Sequence, residues 1–273
     1  MLKENFLKEM IAEDIGRGDL FARVSESKPI QAYIQAKSDG VLAGREYIDV
    51  LSNMYDISFR WMKNDGEHFE KGERLVQIKG DSRVILSLER SILDIVLHTS
   101  SIATLTAKYV DAIKETGVKL LDTRKTRPLL RELEKYAVRC GGGLNHRMGL
   151  DDCLMIKDTH LKTIDDLDVF MKEVRQKIPF TSKVEIECET LEMVKRAMKA
   201  GADIVMCDNM STEETQEVVE YRNAHYSHIL IEASGNVTLE TIVSIAKTGV
   251  DAISSGSIIH QANWIDLSMR VEG

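Results

Sequence analysis

Proline is scarce in this sequence. Three prolines in 273 residues, with no low-complexity tract, leave little room for long extended linkers. Cysteine is scarce as well. Cys140, Cys153, Cys188 and Cys207 stand far apart and form no C-x-x-C pair. That spacing excludes a zinc ribbon and a disulfide scaffold, and it reads as reduced thiols in a cytoplasmic protein. The opening stretch MLKENFLKEMIAEDIGRGDL mixes Lys and Glu throughout and has no apolar h-region, so no secretory signal is expected. No apolar run approaches the ~20 residues that a membrane-spanning helix needs, so no membrane partner is expected. Excess positive charge is missing too. A formal net charge of −8 argues against nucleic acid as a general partner.

What is present is an ordinary globular composition, 43% hydrophobic and 29% charged, long enough for one or two domains with a large core. Against the acidic background one segment reverses sign. Arg124, Lys125, Arg127, Arg131, Lys135, Arg139 and Arg147 are opposed there only by Glu132 and Glu134. A small anion suits such a segment better than a nucleic acid. The run Gly141-Gly142-Gly143 within it is a loop that would let backbone approach a ligand.

Two textures divide the chain. Leu2 to Ile11 carries apolar residues at helical spacing, and EDIGRGDL at 13–20 breaks it. From Pro29 to about Gly80 short alternating runs follow, at 32–36, 41–44 and 75–78, with turn signals between them. Arg83 to Val110 reads as a long apolar helix with a polar notch at His98-Thr99-Ser100-Ser101. Thereafter apolar strand candidates at 118–121, 153–156, 183–188, 203–207, 228–232 and 251–255 alternate with helices. Thr163 is a candidate N-cap for 165–177, and Ser211 with Glu214 makes a capping box. Helices 191–199 and 239–247 end at Gly201 and Gly249, suitable C-cap positions. The alternation fits βα units. A barrel with fewer than eight strands and an open sheet fit it equally well.

Polar groups follow each strand candidate: Asp122, Arg124 and Lys125; Lys157 and Asp158; Glu185, Glu187 and Glu189; Asp208-Asn209; Glu232-Ala233-Ser234-Gly235; Ser255-Gly256-Ser257. If the strands are parallel, these groups converge on one rim. In a βα barrel that rim is the catalytic face, and the last two loops commonly hold a phosphate. Helix N-termini near 238 and beyond 256 would add a favourable dipole.

These residues carry a resemblance. EDIGRGDL, ER-x-x-L with SSIATLT, DTRKT, KYAVRCGGGLNHRMGLDDCLMIKDTHL, VEIECET, MCDN, EASGNV and TGVDAISSGSIIH, in this order across nearly the whole chain, resemble the quinolinate phosphoribosyltransferase family. The resemblance implies an N-terminal α/β sandwich over 1–103, joined by the tail 262–273, and an incomplete α/β barrel over 104–261. It implies a homodimer, or a multiple of dimers, with shared sites. The implied reaction joins quinolinate to phosphoribosyl pyrophosphate with Mg²⁺, giving nicotinate mononucleotide, pyrophosphate and carbon dioxide. By motif, Arg124, His146 and Arg147 resemble a clamp for two adjacent carboxylates, with Thr123 beside them; Arg presents a planar fork to a carboxylate. Arg90 resembles the arginine given by a neighbouring subunit. Lys125 and Lys157 resemble lysines shared between quinolinate and pyrophosphate. Glu187 and Asp208 resemble the acidic pair near the ribose and Mg²⁺, a weak metal site acting through water or substrate. Ser234-Gly235 and Ser255-Gly256 match the 5′-phosphate loops. The catalytic set is thus Lys125, Lys157, Glu187 and Asp208.

Bland readings stand beside these. Arg127, Arg131, Lys135 and Arg139 follow Pro128 at i, i+4 spacing, and the stripe reads as a solvated helix face outside the site. Glu185 and Glu189 share strand parity with Glu187, so parity cannot choose among the three. Ser101, Asp94 and Asn236 depart from the family's commoner Gly, Asn and Gly. Two competing functions remain at this level: a molybdenum-transport-associated pyrophosphorylase-like protein of the same fold, and a catalytically silent binding protein.

Overall fold

The computed structural model describes residues 3–272. Leu2, at the head of the expected first helix, and Gly273 of the tail lie outside the described residues. In chain order the helices are α1 (Lys3–Ile15), α2 (Leu20–Val24), α3 (Arg45–Ile48), α4 (Leu51–Met54), α5 (Ser82–Ile113), α6 (Arg131–Cys140), α7 (Asp158–Leu161), α8 (Leu167–Lys177), α9 (Leu191–Lys199), α10 (Thr212–His225), α11 (Ile242–Ala246) and α12 (Ser257–His260). The strands are β1 (Pro29–Ala36), β2 (Gly40–Val41), β3 (Ile57–Trp61), β4 (His68–Phe69), β5 (Arg74–Asp81), β6 (Lys119–Leu121), β7 (Leu154–Ile156), β8 (Val184–Cys188), β9 (Ile204–Asp208), β10 (Leu230–Ser234), β11 (Ala252–Ser254) and β12 (Leu267–Val271).

The chain forms two compact units. The first takes residues up to Ala107, Tyr136–Gly142 and the stretch from Ala262 onward. Its main sheet is antiparallel in the order β12-β1-β5-β3. β1 shows why: Ala32, Ile34 and Ala36 are buried while the residues between them face outward, the period of a half-buried strand. β3 (ISFRW) and β12 (LSMRV) alternate in the same way, although neither is among the runs singled out from the sequence. The polar notch of α5 serves the β2 segment. Ser100 Oγ accepts the Ala43 N–H at 2.9 Å, Thr99 Oγ1 donates to the Ala43 carbonyl at 2.7 Å, and Thr104 Oγ1 accepts the Val41 N–H at 2.8 Å. Buried backbone groups without a ladder partner are thereby satisfied by hydroxyls. Ser101 is buried and accepts the Ile265 N–H at 3.0 Å, which gives this departure from the family's glycine a structural use. In the glycine run, a Cβ on Gly141 would come within 2.5 Å of the Ala103 carbonyl oxygen, and Gly142 has φ 85°. The close approach there is to the chain's own helix rather than to a ligand.

The second unit takes Lys108–Lys135 and Gly143–Gln261. Six strands lie in one sheet, in the order β6-β11-β10-β9-β8-β7, every pair parallel. The first and second strands of the unit, β6 and β7, are the two edges. This is the incomplete barrel, with its missing staves between them. Leu144 extends the β6 edge by one bridge to Leu121. Burial of all five residues of β8 is the pattern of a strand covered on both faces. The α8 N-cap is Asp166, whose carboxylate accepts the Val169 N–H at 3.0 Å; Thr163 instead bonds to the His160 carbonyl. The expected helix at 239–247 is shortened to 242–246, because Thr238 and Thr241 bond to each other's backbone N–H groups and occupy its first turn.

Candidate active site

The C-terminal ends of the six parallel strands surround a cavity of about 410 Å³, lined wholly by residues of the second unit. Each strand ends in polar residues because its apolar run stops at the sheet's edge. Thr123, Arg124 and Lys125 follow β6, and Lys157 follows β7. Glu187 is the inward residue next to the end of β8. Asp208 ends β9 and Ser234 ends β10, with Gly235 beyond it. His146 and Arg147 come from the loop after α6. All ten line the cavity. Met155 and Met206 supply an apolar floor, and Asn209, Asn236 and Ser254 complete the wall.

The charges are segregated. Arg124 and Arg147 stand close enough that the Arg124 charge, after burial, lowers the pKa of Arg147. Arg147 is 8% exposed and is aimed by bonds to the Cys153 carbonyl at 3.0 Å and to Met155 Sδ at 3.5 Å. Opposite lie Glu187 and Asp208. Burial first, then the neighbouring Glu187 charge, raises the Asp208 carboxyl above the ordinary carboxylate range. Lys157 joins the two halves: its Nζ forms an ion pair with the Glu187 carboxylate. Asp208, raised in part by the neighbouring Glu187, lies in an environment short of a cation, and the two carboxylates fit Mg²⁺ held through phosphates and water.

Glu185, Glu187 and Glu189 separate by depth. Glu189 is exposed past the end of the strand, Glu187 faces Lys157, and Glu185 is fully buried beneath the cavity. There His146 Nε2 lies 3.1 Å from Glu185 and 3.3 Å from Glu232, while its Nδ1 accepts the Arg147 N–H at 2.7 Å. Burial works against charge on the ring, but the two carboxylates outweigh it and push the His146 pKa up to about 10. With Nδ1 accepting the Arg147 N–H, the ring's proton lies on Nε2 near the two carboxylates, and a second proton would have to displace that bond. The same three groups have the spacing of metal ligands. A metal there would have to displace the Nε2 proton, because imidazole ligates through a bare nitrogen.

Two phosphate-loop candidates differ from expectation. Ser255 Oγ is bonded to Ser257 Oγ at 2.6 Å and the Ser255 N–H donates to the Leu121 carbonyl, so both of its polar groups are used within the protein. The cavity-facing hydroxyl of this strand is Ser254, which donates to Ser234 Oγ at 3.1 Å. Gly256 lies beside the pocket: a Cβ there would meet Lys125 Cδ at 3.1 Å and Thr123 Oγ1 at 3.2 Å. α11 and α12 have five and four residues, too short to supply the helix dipoles expected there. Gly235, at φ 94°, packs against Asn209. Asn209 and Asn236 also have positive φ, 55° and 50°, and Asn236 Nδ2 donates to Asn209 Oδ1 at 3.0 Å. Asn tolerates the left-handed region better than other non-glycine residues, so Asn236 serves where the family more often has Gly. Arg90 belongs to the first unit, on α5, where its exposed side chain pairs with Asp94 at 3.3 Å.

The solvated-stripe reading of α6 holds for Arg139 but fails for Lys135. Lys135 is 0% exposed, and its Nζ forms an ion pair with Asp122, also 0% exposed. Arg127 pairs with buried Glu134 at 2.7 Å, and Arg131 donates to the Met148 carbonyl at 2.9 Å. Sequence reading put Asp122 on the rim and Lys135 in solvent and passed over Asn145; the contacts that join the three span 10 to 23 positions.

Comparison with known proteins agrees with this geometry. Residues 19–100 match the family described as "Quinolinate phosphoribosyl transferase, N-terminal domain", and residues 102–270 match its "C-terminal domain". A Methanothermobacter thermautotrophicus protein named "Probable nicotinate-nucleotide pyrophosphorylase [carboxylating]" is 38% identical, covering 98% of this chain and 99% of that protein. A Bacillus subtilis protein of the same name is 38% identical over 98% of this chain and 93% of its own. The solved nicotinate-nucleotide pyrophosphorylase from Francisella tularensis superposes with a TM-score of 0.92 at 36% identity, covering 99% of this chain and 96% of that one. No helix among the described residues is long and apolar enough to cross a membrane. By both of its domains, the chain belongs to the quinolinate phosphoribosyl transferase family.

Proposed function

We propose that this cavity transfers the phosphoribosyl group of phosphoribosyl pyrophosphate to quinolinate, with decarboxylation, giving nicotinate mononucleotide, pyrophosphate and carbon dioxide in NAD biosynthesis. The observation that carries it is the division of one pocket into a cationic half and an acidic half, with Lys157 bonded across them. Quinolinate brings two adjacent carboxylates for Arg124 and Arg147. Departure of pyrophosphate builds positive charge on the ribose carbon, which Glu187 and Asp208 stabilise by charge already in place. Glu187 and Asp208 would hold Mg²⁺ through water or phosphate, and the bound ion would supply charge neutralisation to the leaving group. Lys125 and Lys157 offer it ammonium groups. The pyridine nitrogen bonds to the ribose carbon as pyrophosphate leaves. The carboxylate beside that nitrogen then departs as carbon dioxide, its bonding pair stays on the ring carbon, and that carbon takes a proton. The ring nitrogen, positively charged once ribosylated, is the electron sink, so no protein nucleophile takes part. Ser234 and Gly235 receive the 5′-phosphate, with Ser254 beside them.

A homodimer, or a multiple of dimers, completes the proposal, with Arg90 lent by the neighbouring subunit; its exposed guanidinium is suited to such a role. Four free thiols accord with a cytoplasmic setting. The silent-binding and molybdenum-associated alternatives are not favoured, since relatives named as carboxylating pyrophosphorylases match nearly the full chain. The test is chromatographic detection of nicotinate mononucleotide from quinolinate, phosphoribosyl pyrophosphate and Mg²⁺. Tight quinolinate binding without product would leave the silent protein as the better reading, and neither binding nor product would leave the molybdenum-associated one.

A further inference from the structure

We propose that the buried Asp122–Lys135 ion pair is a positioning device for the dicarboxylate half of the pocket, locking the Arg124 strand end to the Arg147 loop. The inference rests on the assignment of Arg124 and Arg147 to quinolinate. The pair brackets a single residue, His146. Asp122 Oδ1 accepts the His146 N–H at 2.9 Å, and Lys135 Nζ donates to the His146 carbonyl at 2.8 Å. Asp122 Oδ2 also accepts from Asn145 Nδ2 at 2.6 Å, and the same amide donates to the Lys135 carbonyl at 2.9 Å. The backbone N–H and carbonyl of the residue before Arg147 are therefore held by opposite charges.

The position of Asp122 gives the bracket its reach. Asp122 immediately precedes Thr123, Arg124 and Lys125, and its own N–H donates to the Leu144 carbonyl at 3.1 Å. Displacing the carboxylate would shift the Arg124 segment and the Arg147 segment relative to each other. Two guanidinium groups that must meet two adjacent carboxylates tolerate little such shift, because misplacement by about 1 Å can cost 10²-fold in rate. The bland account is that the pair merely plugs a hole beneath the barrel. A plug needs only volume, and a well-packed apolar pair can replace a buried ion pair without loss of stability. The four bonds to residues 145 and 146 are what a plug does not require.

The experiment exploits that difference. The full-length double variant Asp122→Asn, Lys135→Met keeps the volume and leaves no unpaired charge. Expected is a melting temperature within a few degrees of the parent, a KM for quinolinate raised at least 10-fold, and a KM for phosphoribosyl pyrophosphate changed less than 2-fold. Lys135→Gln, which keeps a donor without charge, should fall between, and it serves alone if the double variant does not fold. A folded variant with the parent's quinolinate KM overturns the inference, and so does an equal rise for both substrates. Arg147→Ala is measured alongside. If that variant also keeps the parent's quinolinate KM, the pocket assignment fails rather than the positioning role.

Discussion

Lys157 and Glu187, on neighbouring parallel strands, form an ion pair at the junction of the cationic and acidic halves of the cavity. The lysine is a little over one-third exposed and the carboxylate mostly buried, so the contact is partly screened and exchangeable. An arriving pyrophosphate can take the ammonium from Glu187 and leave that carboxylate free for the ribose. Lys157→Met should therefore lower kcat by about 10²–10³-fold, the loss typical of one preorganised charge donor. Steady-state rates with both substrates saturating decide it, and a variant within a few-fold of the parent would remove Lys157 from the chemistry.

Substrate choice follows from the arginines. Nicotinate lacks one of quinolinate's carboxylates and leaves one of the two arginine cations, exposed Arg124 or buried Arg147, without its partner. A site built for a polar group rejects an analogue lacking it by about 10⁴-fold or more. Expected is a kcat/KM ratio of that size for quinolinate over nicotinate, with phthalate binding as an inhibitor. Arg147→Lys should not restore activity, since an ammonium cannot reproduce the two-pronged contact. Comparable kcat/KM values for the two acids would falsify the pocket assignment.

Shared sites are open to complementation. If Arg90 serves a neighbouring subunit, Arg90→Ala and Arg147→Ala proteins are each nearly inactive, yet mixed dimers regain activity because one composite site is intact. The mixture is assayed after subunit exchange has been shown by mass spectrometry of differently labelled chains. Exchange without recovery would end the shared-site proposal.

Asp208 gives a pH signature with a definite sign. Its carboxyl is raised, first by burial and then by Glu187, so it takes its proton at a higher pH than an ordinary aspartate. Glu187→Gln removes one of the raising charges and should move the Asp208 titration to lower pH. Carboxyl-carbon NMR of the substrate-free protein reads this directly. An unchanged or upward midpoint would mean that the two carboxylates do not face each other in solution.

Gly235 tests the turn after β10. At φ 94° a side chain is strained, on the order of 1–3 kcal/mol, and its Cβ would press on Asn209 beside Asp208. Gly235→Ala should lower stability by about that amount and should raise the KM for phosphoribosyl pyrophosphate more than that for quinolinate. Calorimetry with the two KM values checks it; an equal effect on both would assign Gly235 to turn geometry alone.

Much of the second unit was legible in sequence because strands of a covered parallel sheet are near-continuous apolar runs, as at 204–207. Their polar ends marked the rim. Ser254 was not legible: the run 251–255 reads one residue too far, and the motif match names Ser255, whose hydroxyl and N–H are bonded within the protein. Lys135 was misread for a deeper reason. Helical spacing says which residues share a face, but not what that face meets, and its carboxylate partner lies on a different element. Glu185 was ambiguous on similar grounds, because distance into the barrel is a property of three dimensions and parity is not. β3 and β12 were passed over although ISFRW and LSMRV both alternate, because five residues of alternation without flanking turn signals are a weak mark.

The pairing of β12 with β1 has a consequence for synthesis. Ala32 aligns with Val271 and Ala36 with Leu267, so residues near the two ends of the chain form adjacent strands of one sheet. On a ribosome the first unit must wait, its β1 edge uncovered, until the entire barrel has been made. Contacts so distant in sequence are slow to form, and an open edge invites pairing with another chain. Removing the residues after Ala262 would leave that edge permanently bare, so aggregation during expression, more than loss of catalysis, is the defect to expect from C-terminal shortening.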